Sequence, residues 1–163
     1  RNLEISKPNQ VWQIDITYIP MKNGFMYMTA VIDVYSRYIV GWGISNSLDA
    51  SESLKVVKEA IKIHGKPDIL NSDQGTQFSC KSYVEYLKKE EIKISMDGKG
   101  RCLDNIFIER FWRTIKYQHI FLNPAKDGLD LYLGIQKWLQ RYHNRGHQGI
   151  ELKKPAEKYK LAA

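Results

Sequence analysis

Only two cysteines, Cys80 and Cys102, occur in the 163 residues of this chain. They are too few and too far apart for a zinc site or a disulfide framework, and both are expected to remain reduced. Long hydrophobic runs are missing as well: nothing approaches the roughly 20 apolar residues of a membrane-spanning helix. No signal-peptide pattern opens the sequence, so the expected location is the cytoplasm, with no membrane partner. The pattern holds no internal repeat, no low-complexity tract and no second domain. The first residue is Arg1 rather than Met, so residues 1–163 are read as one domain from a longer protein.

A chain of this length can bury a real core as a single domain. Its composition, 43% hydrophobic and 26% charged, belongs to a folded globular protein rather than a disordered one. The net charge of +7 favours a polyanionic partner, nucleic acid first and an acidic membrane surface second. Charge alone decides nothing, because many soluble proteins are mildly basic, but here it is uneven. Between Lys137 and Lys160 seven Lys and Arg stand against only Glu151 and Glu157, an asymmetry that nucleic-acid binders show. His143 and His147 lie in that segment and could share a helical face. With no Cys pair beside them they are read as solvated or nucleic-acid-facing, not as metal ligands.

Alternation over 11–19 predicts a strand with Trp12, Ile14, Ile16 and Tyr18 on one face and Gln13, Asp15 and Thr17 on the other. Lys22-Asn23-Gly24 signals a hairpin into 25–32, which is apolar on both faces and therefore central. A third run, 38–45, contains Gly41 and Gly43, as an edge or bulged strand would. A helix is predicted from about Asp49, its N-cap, to the stop at Gly65 and Pro67. A short strand 69–73, a helix 81–89 and a strand 92–95 follow. A flexible basic loop at 97–101 leads into a helical stretch 103–112 that starts from an N-cap at Asp104, aided by Asn105. In the last helix, 128–143, Leu131, Ile135, Trp138, Leu139 and Tyr142 make a core-facing stripe. The order β-β-β-α-β-α-β-α-α predicts an α/β fold with one mixed sheet and helices on both faces. If the fourth strand lies beside the first, Asp73 meets Asp15, and ligand sites in open α/β sheets favour such strand ends.

Three acids stand where packing does not explain them. Asp15 interrupts the apolar run from Val11 to Ile19, and a carboxylate in a half-buried strand costs several kcal/mol unless it is paired or holds a cation. Asp73 closes the fourth strand, and Glu109 lies in the 103–112 helix. Asp15 and Asp73 are separated by 57 residues, and Asp73 and Glu109 by 35. Each has an ordinary alternative: a sheet-edge Asp paired with Lys, a turn residue before Gln74-Gly75, a solvated Glu in i,i+4 contact with Arg113. Together, in a basic protein, they point to divalent-metal and phosphodiester chemistry. Asp33, beside Arg37, is read as structural, and Asp97 is given no role. On the Glu109 helix, Ile108, Phe111, Trp112 and Ile115 form the buried stripe. Glu109, Arg113 and Lys116 share a neighbouring face, with Asn105 at its margin. With Lys99 and Arg101 on the preceding loop, Asn105, Arg113 and Lys116 form the expected nucleic-acid surface. A solvated charged face accounts equally well for any one of these cations.

These stretches resemble the catalytic core of the DDE transposases of bacterial insertion sequences, the group closest to retroviral integrases. Trp12-Gln13-Ile14-Asp15-Ile16-Thr17-Tyr18 matches the segment of the first Asp, and Ser72-Asp73-Gln74-Gly75-Thr76-Gln77-Phe78 that of the second. Asp104-Asn105-Ile106-Phe107-Ile108-Glu109-Arg110-Phe111-Trp112 carries the Glu at the spacing of 35 that the family's D,D-35-E pattern requires. Tyr142-His143-Asn144-Arg145-Gly146-His147 and Lys154-Pro155-Ala156-Glu157 resemble its C-terminal signature. The resemblance covers nearly the whole chain. It implies a ribonuclease-H-like fold with a five-stranded mixed sheet, three strands antiparallel and two parallel. It implies a polynucleotidyl transferase that cleaves DNA 3′ ends and transfers strands, using Mg²⁺ or Mn²⁺, and that works as a homo-oligomer on transposon ends and target DNA. Asp15, Asp73 and Glu109 become the catalytic metal ligands, with Asp15 shared between two ions when DNA is bound. The N-terminal DNA-binding region usual in such transposases is not in this sequence, which fits the reading of it as a fragment. Two other readings stay open. One is a hydrolytic nuclease of the same fold, which Glu52 and Glu59 on the early helix keep alive; the other is a non-catalytic DNA-binding or assembly module.

Overall fold

Residues 3–98 and 104–161 are described by a computed structural model. Strands β1 (Val11–Pro20), β2 (Phe25–Asp33) and β3 (Ile39–Ser45) form an antiparallel meander. Its first turn uses Gly24 at φ +77°, a left-handed conformation that costs glycine nothing. Strand β4 (Ile69–Ser72) runs parallel to β1, and β5 (Lys93–Met96) parallel to β4, giving the order β3-β2-β1-β4-β5. Helices α1 (Ala50–His64), α2 (Thr76–Ser79), α3 (Lys81–Lys89), α4 (Ile106–Ile115), α5 (Gly128–His143) and α6 (Pro155–Leu161) complete the fold. A π-helical turn, Lys116–Ile120, prolongs α4. This is the predicted mixed five-stranded sheet, with the fourth strand beside the first.

The alternation of β1 divides two cores. Trp12 and Ile14 pack with Val57 and Ala60 of α1 and Tyr83 and Leu87 of α3. Ile19 joins Met28, Ala30 and Ile32 on the opposite side, against Ile108, Phe111, Trp112 and Ile115 of α4 and the buried stripe of α5. Each such side chain contributes roughly 1.5–3 kcal/mol by leaving water. The glycines of β3 have a packing cause besides its edge position and the irregularity opposite Val31 and Ile32. A Cβ on Gly41 would meet the Cβ of Ala60 at 2.9 Å, so the glycine lets α1 approach the sheet.

Several local expectations change. Asp49 occupies the N-cap position of α1, but its side chain makes no capping bond. Helices α2 and α6 and the π turn are too short to show a period in the sequence. Helix α6 begins on Pro155, where a missing N–H costs nothing. It is anchored by Tyr159, whose hydroxyl donates to Asn9 Oδ1 at 2.7 Å. His143 is neither solvated nor nucleic-acid-facing. Its Nε2 accepts from Ile39 N at 3.1 Å, its ring stacks on Tyr38 at 3.9 Å, and burial pushes its pKa down to about 4. Asp33 is structural, as expected, with the Arg37 charge acting on it and its side-chain hydrogen bonds coming from Asn9 and Ser36. It is fully buried and accepts from Asn9 N, Ser36 N and Ser36 Oγ; burial pushes its pKa up while these bonds oppose the rise. Cys80 is a free thiol, and Cys102 lies outside the described residues.

Candidate active site

The parallel ladder aligns Gln13 of β1 with Asn71 of β4. Two residues further along the same register, Asp15 stands beside Asp73, the first residue past the end of β4. Asp15 is half-buried within the sheet, while Asp73 is exposed. The Asp73 carboxylate accepts Gly75 N–H at 2.8 Å, an Asx-type turn that fixes the strand exit.

The polar face of β1 positions the third acid. Gln13 is wholly buried; its Oε1 accepts from Phe107 N and Ile108 N at 3.1 and 3.2 Å, and its Nε2 donates to Asp104 O at 2.9 Å. One side chain from the sheet thus caps α4, in place of the local cap expected from Asp104 and Asn105. Two residues on, Asp15 Oδ2 accepts from Trp112 Nε1 at 3.0 Å, and two further on, Thr17 Oγ1 meets Lys116 Nζ at 2.6 Å. Successive residues of one strand face therefore hold successive turns of one helix, which lays Glu109 alongside Asp15 with its side chain exposed.

A buried polar knot supports the arrangement from the β4 side. Asn71 Nδ2 donates to Asn105 Oδ1 at 2.8 Å and to Asp97 Oδ1 at 3.1 Å, and Asp97 Oδ2 accepts from Asn105 N at 3.2 Å. Asn105 Nδ2 reaches the Ile14 carbonyl at 3.3 Å. Asn105 is only 3% exposed, so it has no surface to offer a nucleic acid; it joins α4 to β1 and β4 instead. Asp97, given no role from sequence, ties β5 to the same knot. Lys99 and Arg101 lie outside the described residues. Arg113 is exposed on the Glu109 side of α4. Lys116 is half-buried against Thr17, where burial lowers its pKa and the nearby Asp15 charge raises it.

The electrostatics single out Asp15. Burial holds its pKa above the usual carboxylate range, the charges of Asp73 and Glu109 push the same way, and bonds from Ile16 N and Trp112 oppose them. Among the described residues none of the three acids is in an ion pair, so the expected alternatives of a Lys for Asp15 and Arg113 for Glu109 are not taken. The acids feel one another, yet among the described residues no group of three His, Cys, Asp or Glu is gathered tightly enough to hold a metal ion. Asp15 accepts from Trp112 Nε1 and Ile16 N, Asp73 accepts from Gly75 N, and Glu109 is exposed. The donor chemistry nevertheless fits a hard divalent cation: carboxylate oxygens that repel one another, with Lys116 as a nearby cation but none of the three in an ion pair among the described residues.

Sequence reasoning missed Gln13, Asn71 and the indole N–H of Trp112 as positioning groups. Gln13 did carry a signal, since it is a polar residue in an apolar strand on the same face as Asp15. Glu52 and Glu59, which keep the nuclease reading open, line a groove at β3 with Trp42 and Tyr132, two strands from Asp15.

Two integrase core domain family models match the chain, over residues 5–102 and 90–155. The transposase of insertion sequence element IS904 from Lactococcus lactis is 35% identical over 162 residues, covering 93% of this chain and 62% of that protein. Transposase InsF of insertion sequence IS3A from Escherichia coli is 34% identical over 117 residues, covering 71% of this chain and 41% of the relative. The HTLV-2 integrase catalytic core in complex with magnesium superposes with a TM-score of 0.73 at 20% identity, over 94% of this chain and 97% of that one. The simian T-cell lymphotropic virus intasome gives 0.81 at 18% identity, over 98% of this chain and 57% of that one. The fold is thus ribonuclease-H-like, that of retroviral integrase cores. The chain belongs to the integrase core domain family, and these curated relatives are transposases of insertion sequences. It spans less than two thirds of the length of these curated transposases.

Proposed function

We propose that residues 1–163 form the catalytic domain of a longer DDE transposase, a polynucleotidyl transferase that cleaves DNA at the 3′ ends of a mobile element and joins them to target DNA. One observation carries this reading. The β1–β4 register and the docking of α4 on β1 bring two carboxylates, Asp73 and Glu109, within electrostatic reach of a third, Asp15, and none of the three is in an ion pair among the described residues. Asp15, Asp73 and Glu109 would hold Mg²⁺ or Mn²⁺, two ions with DNA bound. Bound there, the ions supply activation of the attacking oxygen and stabilisation of the leaving oxygen in an in-line displacement. An integrase core of the same fold obtained with magnesium, in dimeric and trimeric forms, supports both the metal and a homo-oligomeric assembly.

The chain's own groups do the positioning. Trp112 N–H fixes Oδ2 of Asp15, and Ile16 N also bonds the carboxylate. Gln13 and the Asn71–Asn105–Asp97 knot hold the first turn of α4, so that Glu109 can turn toward the two aspartates without moving the helix. Arg113, with Lys99 and Arg101 a few positions before α4 in the sequence, offers charge to the phosphate backbone, and Lys116 offsets part of the Asp15 charge. In the first reaction water forms a bond to a phosphorus at the element's end and the bond to the 3′-oxygen breaks, that oxygen leaving as a 3′-hydroxyl with a proton from the water. In the second, this hydroxyl forms a bond to a phosphorus of target DNA and the target's own 3′-oxygen leaves with the proton. No described helix is long and apolar enough to cross a membrane, in keeping with work on DNA in the bacterial cytoplasm.

The test is Mg²⁺-dependent 3′-end cleavage and strand transfer by the full-length transposase carrying Asp15→Asn, Asp73→Asn or Glu109→Gln. Each variant is nearly isosteric and should lose both activities while still binding DNA. Activity near wild type in any one of them removes that residue from the site. A non-catalytic module would show no cleavage even with all three acids intact.

A further inference from the structure

The other flank of α4 carries a second basic surface. With about 100° per residue around the helix, Arg110, Thr114 and Phe107 lie roughly 100–160° from Glu109. They line a cleft of about 750 Å³ that also receives Arg37, Arg113, Arg145 and His147. No Asp or Glu is among its lining residues. Nor, among the described residues, is any of these four arginines in an ion pair, whereas the surface ion pairs all involve lysines elsewhere.

Aromatic rings and neutral acceptors hold these arginines where acids would otherwise do so. The Arg37 guanidinium lies 3.8 Å from the centroid of Phe107 and donates to the Val34 carbonyl. Arg145 packs over Trp138 and Tyr142, at 5.5 and 5.8 Å, and donates to Gln118 Oε1. A ring beside a guanidinium brings no negative charge, and an arginine can grip a phosphate with two parallel hydrogen bonds; the acid whose charge acts on Arg37, the buried Asp33, is not among the cleft's lining residues. His147 adds a donor. Its Nδ1 accepts from Gly149 N at 3.0 Å, which leaves the proton on Nε2, and burial with the neighbouring arginines keeps the ring neutral. Arg110, Arg113 and Arg145 are exposed, and Arg113 lies on α4 between Arg110 and Glu109 in angle, so the positive surface continues to the acidic side of the helix.

We propose that this cleft binds the phosphodiester backbone of duplex DNA, with Arg110 and Arg145 as its main contacts, at a point removed from the three acids. It goes beyond the catalytic reading and needs no metal. The test measures binding of a short fluorescent duplex of arbitrary sequence to the full-length protein, over a salt series in EDTA. Arg110→Gln/Arg145→Gln removes two phosphate contacts; the log–log salt slope should fall by about 1.8 and binding should weaken roughly tenfold or more. Arg110→Lys/Arg145→Lys keeps both charges and should restore most of the slope. Lys88→Gln/Lys89→Gln on α3, packed against the other side of the sheet, removes the same net charge and should leave the slope nearly unchanged. Unchanged binding in the double Gln variant, or an equal loss in the α3 control, overturns the proposal. Mn²⁺ binding, measured separately, should be unaffected by the cleft variants. A wild-type protein that binds no Mn²⁺ but shows the slope change sinks the catalytic reading alone.

Discussion

Replacing Gln13 by Met tests whether the sheet, rather than the helix's own sequence, holds the first turn of α4. Methionine has nearly the length and flexibility to fill the same space, but it neither donates nor accepts usefully there. The substitution strips partners from three backbone groups that Gln13 serves at 2.9–3.2 Å. A backbone group left buried and unpaired costs about 1–3 kcal/mol. Ile108 is fully buried and bears the full penalty, whereas Phe107 and Asp104 sit where water can reach part of the bond. The expected loss is therefore about 2–4 kcal/mol, or roughly 5–15 °C in Tm for a domain of this size. Urea denaturation and a calorimetric melt, both without metal, measure it. Because the loosened turn carries Glu109, Mn²⁺ affinity should also fall at temperatures where the variant is still folded. A destabilisation below about 0.5 kcal/mol, the size of an ordinary surface change, would refute the reasoning and leave the apolar stripe as the sole anchor of α4.

Double substitutions among Asp15, Asp73 and Glu109 should be no less active than the single ones, since the three serve as one unit; single-turnover assays decide this. In EDTA at neutral pH, Asp15→Asn should raise the melting temperature, because burial and two neighbouring carboxylates oppose the Asp15 charge in the folded state. The raised pKa makes that penalty grow as pH rises through and above the ordinary carboxylate value, so the gain should vanish in acid, where Asp15 is protonated in both states. His143, pushed down to about 4 from 6.5, contributes stability that is fully present above pH 6.5 and lost as pH falls toward 4. That amounts to about 3 kcal/mol at most, and His143→Gln, which keeps an acceptor for Ile39 N–H, should flatten this part of the stability–pH curve. Arg113→Glu should weaken DNA binding, lowering the salt slope by about one or more, with no change in melting temperature. Lys116→Glu should weaken binding and also lower the melting temperature, because its carboxylate would stand beside Asp15.

Period-two alternation in 11–19 and the apolar 25–32 run were enough to place β1 and β2, because each strand's packing is written in its own residues. Steps of one, three and four residues in α5 likewise marked its stripe, and the 35 residues between Asp73 and Glu109, through the family resemblance, pointed to the acids whose charges act on Asp15. What could not be read was anything decided between distant segments. The cap of α4 comes from a strand more than 90 positions earlier, so the local signals at Asp104 and Asn105 pointed to the wrong acceptor. Asn105 looked like a surface residue by helical angle and is instead buried by Asn71 and the Ile14 carbonyl. His143 sits in a basic stretch, but its surroundings come from β3 and Tyr38, which charge patterning does not register. The arginine cleft gathers residues from the β2–β3 turn, α4 and the segment after α5, and only the fold shows that they share one cavity without an acid.

The most direct test of the account is a crystal of this domain soaked in Mn²⁺ and examined by anomalous diffraction. The expected result is manganese coordinated by Asp15 and Asp73, with the Glu109 side chain turned inward from its exposed position and the backbone of α4 unmoved. No anomalous peak at these residues at saturating Mn²⁺, or a peak only elsewhere on the molecule, would contradict the assignment of the three carboxylates as a metal centre.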